Sequence, residues 1–142
     1  MSFTTRAQVR FAHVDAAGIV FYPRFFEMLN AAVEDWCAEA LGCDFATLIK
    51  QRGLGTPTVH LETDFVGACD LGEWLDITLK VERLGESSVT LSFAFDKAGE
   101  RRLGGKVVLV CMHLAARRAV PWPEDLRAAM QIDLGGAPAP ND

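Results

Sequence analysis

The chain has 142 residues, half of them hydrophobic and 23% charged, with a formal net charge of −5 at pH 7. This size and composition predict one globular domain with a sizeable core. The acidic balance argues against a nucleic-acid-binding protein, since such domains usually carry a basic surface. No apolar run is long enough to span a membrane, and the N-terminal segment lacks the apolar core of a signal peptide.

The four cysteines, at positions 37, 43, 69 and 111, show no C-x-x-C spacing and no histidine at zinc-finger distance. Cys37 and Cys111 lie in apolar runs, where a free thiol packs like a small hydrophobic group. This pattern predicts reduced thiols, no metal site and a cytoplasmic location.

The N-terminal part predicts a strand, a loop and a long helix. Residues 3–11 alternate loosely between polar and apolar side chains, and a loop around Asp15 follows. From Tyr22 to about Leu41, apolar residues recur at three- and four-residue steps, which is the spacing of an amphipathic helix. Pro23 suits the first helical turn, where its missing N–H costs nothing. This segment is the one long helix that we expect in the chain.

After Gly55 the apolar residues recur with a period of two. Three such runs, each typical of a strand with one buried face, cover residues 59–65, 75–81 and 89–95. Residues 106–114 form a continuous apolar run, as expected of a central strand covered on both sides. A short amphipathic helix through Met130 completes the pattern, and residues 132–142 predict a flexible tail.

One apolar helix and a series of antiparallel strands predict an α+β fold. The expected architecture is the hotdog fold, an antiparallel sheet of five to six strands wrapped around one long helix. We expect this domain to occupy residues 1–131. Exposed strand edges favour dimerisation into a continuous sheet.

Residues 11–25 have the sequence FAHVDAAGIVFYPRF. This segment resembles the D-x-x-G-[IV]-V-[WFY]-[YF]-x-x-[YF] signature of hotdog-fold acyl-CoA thioesterases, and is most similar to the 4-hydroxybenzoyl-CoA thioesterase branch. Residues 55–59 with Phe65–Val66, and Arg118–Val120 with Pro123, add weaker agreement. The resemblance extends over most of the chain, from about residue 9 to residue 126.

The resemblance implies hydrolysis of a small acyl-CoA, for which an aromatic acyl group is one option. In that branch the motif aspartate, here Asp15, attacks the thioester carbonyl or activates the attacking water. The backbone N–H of the residue matching Tyr22 binds the thioester oxygen. The predicted substrate contacts are Gly18, Ile19, Val20, Pro23, Phe25, Thr56 and Arg118, with Arg118 assigned to a CoA phosphate.

The resemblance also implies the partners of the chain. The substrate is an acyl-CoA whose pantetheine arm runs between subunits, so we expect a homodimer or a homotetramer. No metal or cofactor is implied, because coenzyme A is part of the substrate. We expect neither nucleic acid nor a membrane as a partner.

The residues themselves are compatible with this chemistry. Attack on a thioester creates an oxyanion, and one preorganised donor is worth about 3–4 kcal/mol of barrier. The first N–H groups of a helix are free and carry partial positive charge. Pro23 removes one donor, so Tyr22 and the residues after Arg24 are expected to offer theirs. The small loop of residues 16–18 allows close approach of a substrate to the backbone.

Two other functions and one other catalytic carboxylate stay open at this point. The chain could be a non-catalytic hotdog protein that binds acyl-CoA or an acyl carrier, or a hotdog dehydratase or hydratase. The last requires a catalytic histidine, and His13 lacks the usual Pro-Gly context, so we expect His13 to pack or to hydrogen-bond. Glu27 is a second candidate carboxylate, because another hotdog branch uses a helix glutamate. Asp15 lies too far before Pro23 to be its N-cap.

Overall fold

A computed structural model describes residues 2–134, which form two helices and eight strands. The helices are α1 (Pro23–Glu39) and α2 (Glu124–Asp133). The strands are β1 (Phe3–Gln8), β2 (Leu54–Gly55), β3 (Thr58–Phe65), β4 (Trp74–Leu84), β5 (Ser88–Lys97), β6 (Glu100–Val110), β7 (Met112–His113) and β8 (Arg118–Ala119). One turn of 3-10 helix covers Phe11–His13, and a π-helical turn covers Thr47–Gln51.

The main sheet has five antiparallel strands in the order β1-β4-β5-β6-β3. A small sheet of β2, β7 and β8 lies beside it. Strands β4, β5 and β6 are joined by short turns, as the period-two runs predict. Helix α1 packs against the inner face of the main sheet. The predicted hotdog architecture is therefore confirmed, with five strands in the main sheet.

Helix α1 supplies the middle of the core. It begins at Pro23, which stands at the first helical position because no N–H is needed there. Its buried side chains are Phe25, Met28, Leu29, Ala32, Val33, Trp36 and Cys37. The inner residues of β4, β5 and β6 complete this core, and α2 adds Leu126 and Met130. The Phe25 and Phe95 rings meet edge to face, with their centroids 5.7 Å apart.

Strand β6 differs from the expected central strand. It begins at Glu100 and ends at Val110, whereas the apolar run continues to residue 114. Val107 and Leu109 are buried, but Val108 and Val110 on the opposite side are only half-buried. The prediction of a strand covered on both sides is wrong for a physical reason. The outer face of the sheet has no second layer of helices among residues 2–134.

Strand β3 differs more strongly from its prediction. Its alternating pattern predicts one buried face, yet Val59 and Phe65 are 60% and 50% exposed. The strand lies at the edge of the main sheet and pairs only with β6. At Gly105 the two strands approach so closely that an added Cβ would lie 2.0 Å from the Glu62 carbonyl oxygen. The apolar face of β3 is only partly covered by its own chain.

The C-terminal boundary also shifts. Helix α2 runs to Asp133, two residues past the predicted end of the domain. The Val81 N–H donates to Asp133 Oδ2 over 2.6 Å, which attaches the end of α2 to β4. The predicted flexible tail falls mostly on residues 135–142, which lie outside the described residues.

All four cysteines are buried and unpaired. Burial is the main reason that the pKa of the Cys37 thiol rises to about 12. These thiols behave as small core side chains, as the apolar runs around Cys37 and Cys111 predict. In the part of the chain that the structure describes, no helix combines the length and the hydropathy needed to cross a membrane.

Candidate active site

Asp15 lies in a tight hairpin between β1 and α1, which we call the active-site hairpin (residues 13–21). The Phe21 N–H donates to the His13 carbonyl oxygen over 2.9 Å, and the Asp15 N–H donates to the Ile19 carbonyl oxygen over 3.0 Å. Between these bonds, Val14 bridges to its partner across the hairpin. The backbone geometry of this segment is therefore set by main-chain bonds.

The Asp15 carboxylate is exposed and oriented by the loop that follows it. Its Oδ1 accepts the Ala17 N–H over 2.9 Å, which is an Asx turn. Gly18 has φ of +79°, a left-handed conformation that closes the loop, and its N–H donates to the Asp15 carbonyl oxygen. The other carboxylate oxygen has no hydrogen-bond partner among residues 2–134. This arrangement holds a charged oxygen in place while leaving it open to a ligand.

The residue before α1, Tyr22, offers its main-chain N–H. The Arg24 N–H donates to the Phe21 carbonyl oxygen over 2.8 Å, and the Phe25 N–H donates to the Tyr22 carbonyl oxygen over 3.1 Å. Pro23 has no N–H. The Tyr22 N–H meets no acceptor in the described part of the chain. We expected the residues after Arg24 to offer donors as well. The Phe25 N–H does not, because it is hydrogen-bonded within the first turn.

Aromatic rings form one wall beside this donor. The ring centroid of Phe65 lies 6.1 Å from that of Tyr22, 6.0 Å from Phe25 and 6.4 Å from Phe26. Phe21 packs edge to face on Tyr22 at 5.7 Å. We call these five residues the aromatic cluster. Phe65 is not among the predicted site residues, although its place at the end of an alternating strand is the signal that could have indicated it.

Most of the predicted substrate contacts lie on this hairpin or at the start of α1. Gly18, Ile19 and Pro23 are half-buried around Asp15 and can be reached from solvent. Val20 and Phe25 are buried in the core. The last two therefore support the site from behind, since their side chains pack against the inner face of the sheet.

The structure does not bring Thr56 and Arg118 to Asp15 within one chain. Thr56 lines a cavity of about 290 Å³ whose rim also includes Asn30 and Glu34 of α1. Arg118 is exposed on β8 in the small sheet. Because β3 runs antiparallel to α1, its Phe65 end lies near Tyr22 and its opposite end lies near this cavity.

The two alternative bases are engaged elsewhere. His13 Nδ1 accepts the Arg10 N–H over 2.8 Å, which closes the 3-10 turn, and burial is the main cause of its lowered pKa. Glu27 is exposed and forms an ion pair with Arg24 at 2.7 Å. His13 hydrogen-bonds, as expected, and the Asp15 carboxylate, unlike that of Glu27, has no ion pair among the described residues.

The chain matches the family model described as thioesterase-like superfamily over residues 9–130. A similar protein, from Thermosynechococcus vestitus, is named 1,4-dihydroxy-2-naphthoyl-CoA hydrolase. It is 30% identical over 121 residues, which is 84% of this chain and 82% of that protein. A protein of the same name from Synechococcus elongatus is 27% identical over 125 residues, covering 87% of this chain and 91% of the relative.

Solved structures show the same fold. A 1,4-dihydroxy-2-naphthoyl-CoA thioesterase from Synechocystis superposes with a TM-score of 0.84 at 24% identity, covering 95% of this chain and 98% of that one. A gentisyl-coenzyme A thioesterase superposes with a TM-score of 0.81 at 26% identity, covering 88% of this chain and 99% of that one. These findings confirm the resemblance predicted from residues 11–25. The chain thus belongs to the thioesterase-like superfamily and is a hotdog-fold thioesterase.

Proposed function

We propose that this protein hydrolyses the CoA thioester of a small aromatic acid to the free acid and CoA. In this proposal Asp15 is the nucleophile or the general base, and the Tyr22 N–H is the oxyanion donor. One observation carries this proposal. The hairpin presents an Asp15 carboxylate oxygen without a hydrogen-bond partner among residues 2–134 and leads directly to Tyr22, whose N–H is free at the start of α1. An aromatic acyl group is supported by the aromatic cluster and by the aromatic acyl-CoA substrates for which the relatives are named.

The chemistry follows from these two groups. Attack on the acyl carbon places negative charge on the thioester oxygen, and a preorganised N–H stabilises that charge as it develops. In the general-base route, water gives a proton to Asp15 while its oxygen bonds to the acyl carbon. The C–S bond then breaks and the CoA thiolate takes a proton. In the nucleophilic route the Asp15 carboxylate bonds to the acyl carbon as the C–S bond breaks and the CoA thiolate leaves, and water then hydrolyses the mixed anhydride to the free acid and the Asp15 carboxylate.

The proposal includes a homodimer that completes the site. One edge of β3 pairs with β6, and its second edge has no neighbouring strand among residues 2–134. Pairing of this edge with a second copy about a two-fold axis near the middle of β3 would bring Thr58 of one protomer near Phe65 of its partner. Thr56 and the cavity beside it would then face the partner's hairpin, with Arg118 nearby for a CoA phosphate. No metal or cofactor is required in this proposal.

The test is release of free CoA thiol from a panel of acyl-CoA substrates, followed by the Asp15→Asn variant. The amide keeps the shape of the side chain but neither attacks nor takes a proton, so turnover should fall by about 10²–10⁴-fold. Binding of CoA, measured by calorimetry, should persist.

The matched control is Asp76→Asn, which removes a carboxylate on the outer face of β4 that pairs with Arg6 at 3.3 Å. This variant should keep normal turnover. Near-normal turnover in Asp15→Asn would contradict the assigned role. Binding of every substrate without any thiol release by the unmodified protein would favour the non-catalytic interpretation instead.

A further inference from the structure

We propose that Arg102 of β6 is a positioning residue for the active-site hairpin, and this inference rests on the function proposed above. Arg102 lies outside the hairpin and outside every predicted set of site residues. It acts through the segment between β3 and β4, residues 67–73, which we call the support loop. The support loop lies directly against the hairpin that carries Asp15.

Two main-chain hydrogen bonds join the support loop to the hairpin. The Val20 N–H donates to the Cys69 carbonyl oxygen over 2.9 Å, and the Leu71 N–H donates to the Gly18 carbonyl oxygen over 3.0 Å. Together they make the antiparallel β-bridge between Ile19 and Asp70. These bonds hold residues 18–20 of the hairpin, and Val20 lies two residues before Tyr22. A shift of the support loop therefore moves the oxyanion donor and Asp15 together.

Arg102 holds the support loop from the other side. Its Nη1 donates to the Ala68 carbonyl oxygen and lies 3.7 Å from the Glu73 carboxylate. The Glu73 carboxylate also accepts the Asp70 N–H over 2.7 Å, so the guanidinium is linked to both ends of the loop. The Arg102 carbonyl oxygen accepts the N–H groups of Val66 and Gly67. One residue thus ties the support loop to β6 through its side chain and its backbone.

The side chain of Arg102 is held at a cost to stability. It is largely buried, and its Nε has no hydrogen-bond partner, with the nearest carboxylate oxygen, on Glu100, 3.8 Å away. A buried donor without a partner is unfavourable. One nitrogen, Nη1, serves both the Ala68 carbonyl and the Glu73 carboxylate. A lysine ammonium also carries several donors on one nitrogen, so a lysine at this position keeps part of the contact.

The expected kinetic effect falls on turnover. Catalysis depends on reacting atoms held within fractions of an ångström, and a displacement of about 1 Å costs about 10²-fold in rate. In the proposed function, substrate affinity draws on Phe25, Phe26 and Phe65 of the aromatic cluster and on Thr56 and Arg118, which lie outside the hairpin, whereas Phe21 and Tyr22 move with it. Loosening the support loop should therefore lower kcat much more than it changes KM.

The experiment compares Arg102→Met and Arg102→Lys with Arg101→Met. Arg101 is the neighbouring arginine on β6, and its Nε pairs with Asp96 at 2.7 Å on the outer face of the sheet. We expect Arg102→Met to lower kcat by about 10–100-fold with KM within about threefold. Arg102→Lys should recover part of this loss because it keeps the charge beside Glu73. Arg101→Met should match the unmodified protein.

Amide hydrogen exchange gives a readout that does not need activity. In Arg102→Met, the amides of Val20 and Leu71 should exchange faster, while those of β5 keep their protection. Arg102→Lys supplies the same readout if the methionine variant does not fold.

Unchanged kcat or unchanged exchange at Val20 and Leu71 would overturn the role of Arg102. A parallel loss of protection in β5 would also overturn it, since that result shows general destabilisation. If the unmodified protein releases no thiol, the proposed function fails, and the exchange experiment still decides whether Arg102 holds the hairpin.

Discussion

Strands β5 and β3 carry the same alternating pattern and meet different surroundings. The inner residues of β5 are buried under α1 and include Leu91 and Phe95, neither of which is accessible to solvent. The corresponding residues of β3 remain exposed, and they include Val59 and Leu61. Both strands pair with β6, one on each side of it. The difference is one of position, because β5 lies in the middle of the sheet and β3 at its edge.

The comparison shows what an alternating pattern can and cannot indicate. A period of two predicts a strand with one apolar face, but it does not say which molecule covers that face. In β5 the cover is α1 of the same chain. In β3 the apolar face is only partly covered, and it leads to the aromatic cluster. In the proposed homodimer, a second copy would cover the rest of this face.

The largest effect on folding is expected in β5. Leu91→Ala removes a fully buried side chain and leaves a cavity, so the free energy of unfolding should fall by about 2–5 kcal/mol. Urea denaturation at a fixed protein concentration measures this change. Substitution of the neighbouring outer residue, Ser92→Ala, is the control and should change the free energy by less than about 0.5 kcal/mol. If both variants lost the same free energy of unfolding, the inner and outer faces of β5 would contribute equally to stability, which would contradict this prediction.

A smaller and different effect is expected in β3. Leu61→Lys places a charge on the partly exposed apolar face of β3, so the proposed dimer should dissociate while each protomer stays folded. The dissociation constant should rise by about 10²-fold, equivalent to about 2.7 kcal/mol. Analytical ultracentrifugation measures this shift, and the thermal midpoint should lose its dependence on protein concentration.

The control for that experiment is His60→Lys, which adds a charge to the opposite face of β3 and should leave the dimer intact. A dimer that survives Leu61→Lys would show that β3 is not the contact. If the Leu61→Lys protomer itself unfolded, the apolar face of β3 would be part of the protomer's core, as that of β5 is.

The smallest effect on stability should come from removing the exposed ion pair between α2 and Arg52. Asp125 of α2 makes two hydrogen bonds to Arg52, at 2.8 and 2.9 Å, and this partner lowers the pKa of the carboxyl group. Because the folded-state pKa is depressed, the contribution is present above the unfolded value of about 3.9 and is lost as pH falls through the folded-state pKa. Asp125→Asn should therefore cost less than about 1 kcal/mol at pH 7, and this cost should shrink as the solution is acidified. Denaturation curves at pH 7 and at acidic pH measure this. A larger loss at pH 7 would weaken the conclusion that burial separates the two regions.

Much of the site was predictable because it is contiguous. Asp15, Gly18 and Tyr22 lie within eight positions, so the hairpin that joins them needs no contact from afar. The same holds for the helical stripe of α1 and for the period of each strand, since local spacing decides which side chains share a face. The hotdog fold and the thioesterase family followed from these local features.

The remaining features depend on residues that are far apart in the chain. The bonding of the Phe25 N–H within the first turn, the ring contacts of Phe65, and the separation of Thr56 from Asp15 were decided only when strands and helix packed. The contact between Arg102 and the support loop is of the same kind. Local chemistry determines which element a segment forms, whereas the cover of an apolar face and the partner of a guanidinium depend on which elements become neighbours in three dimensions.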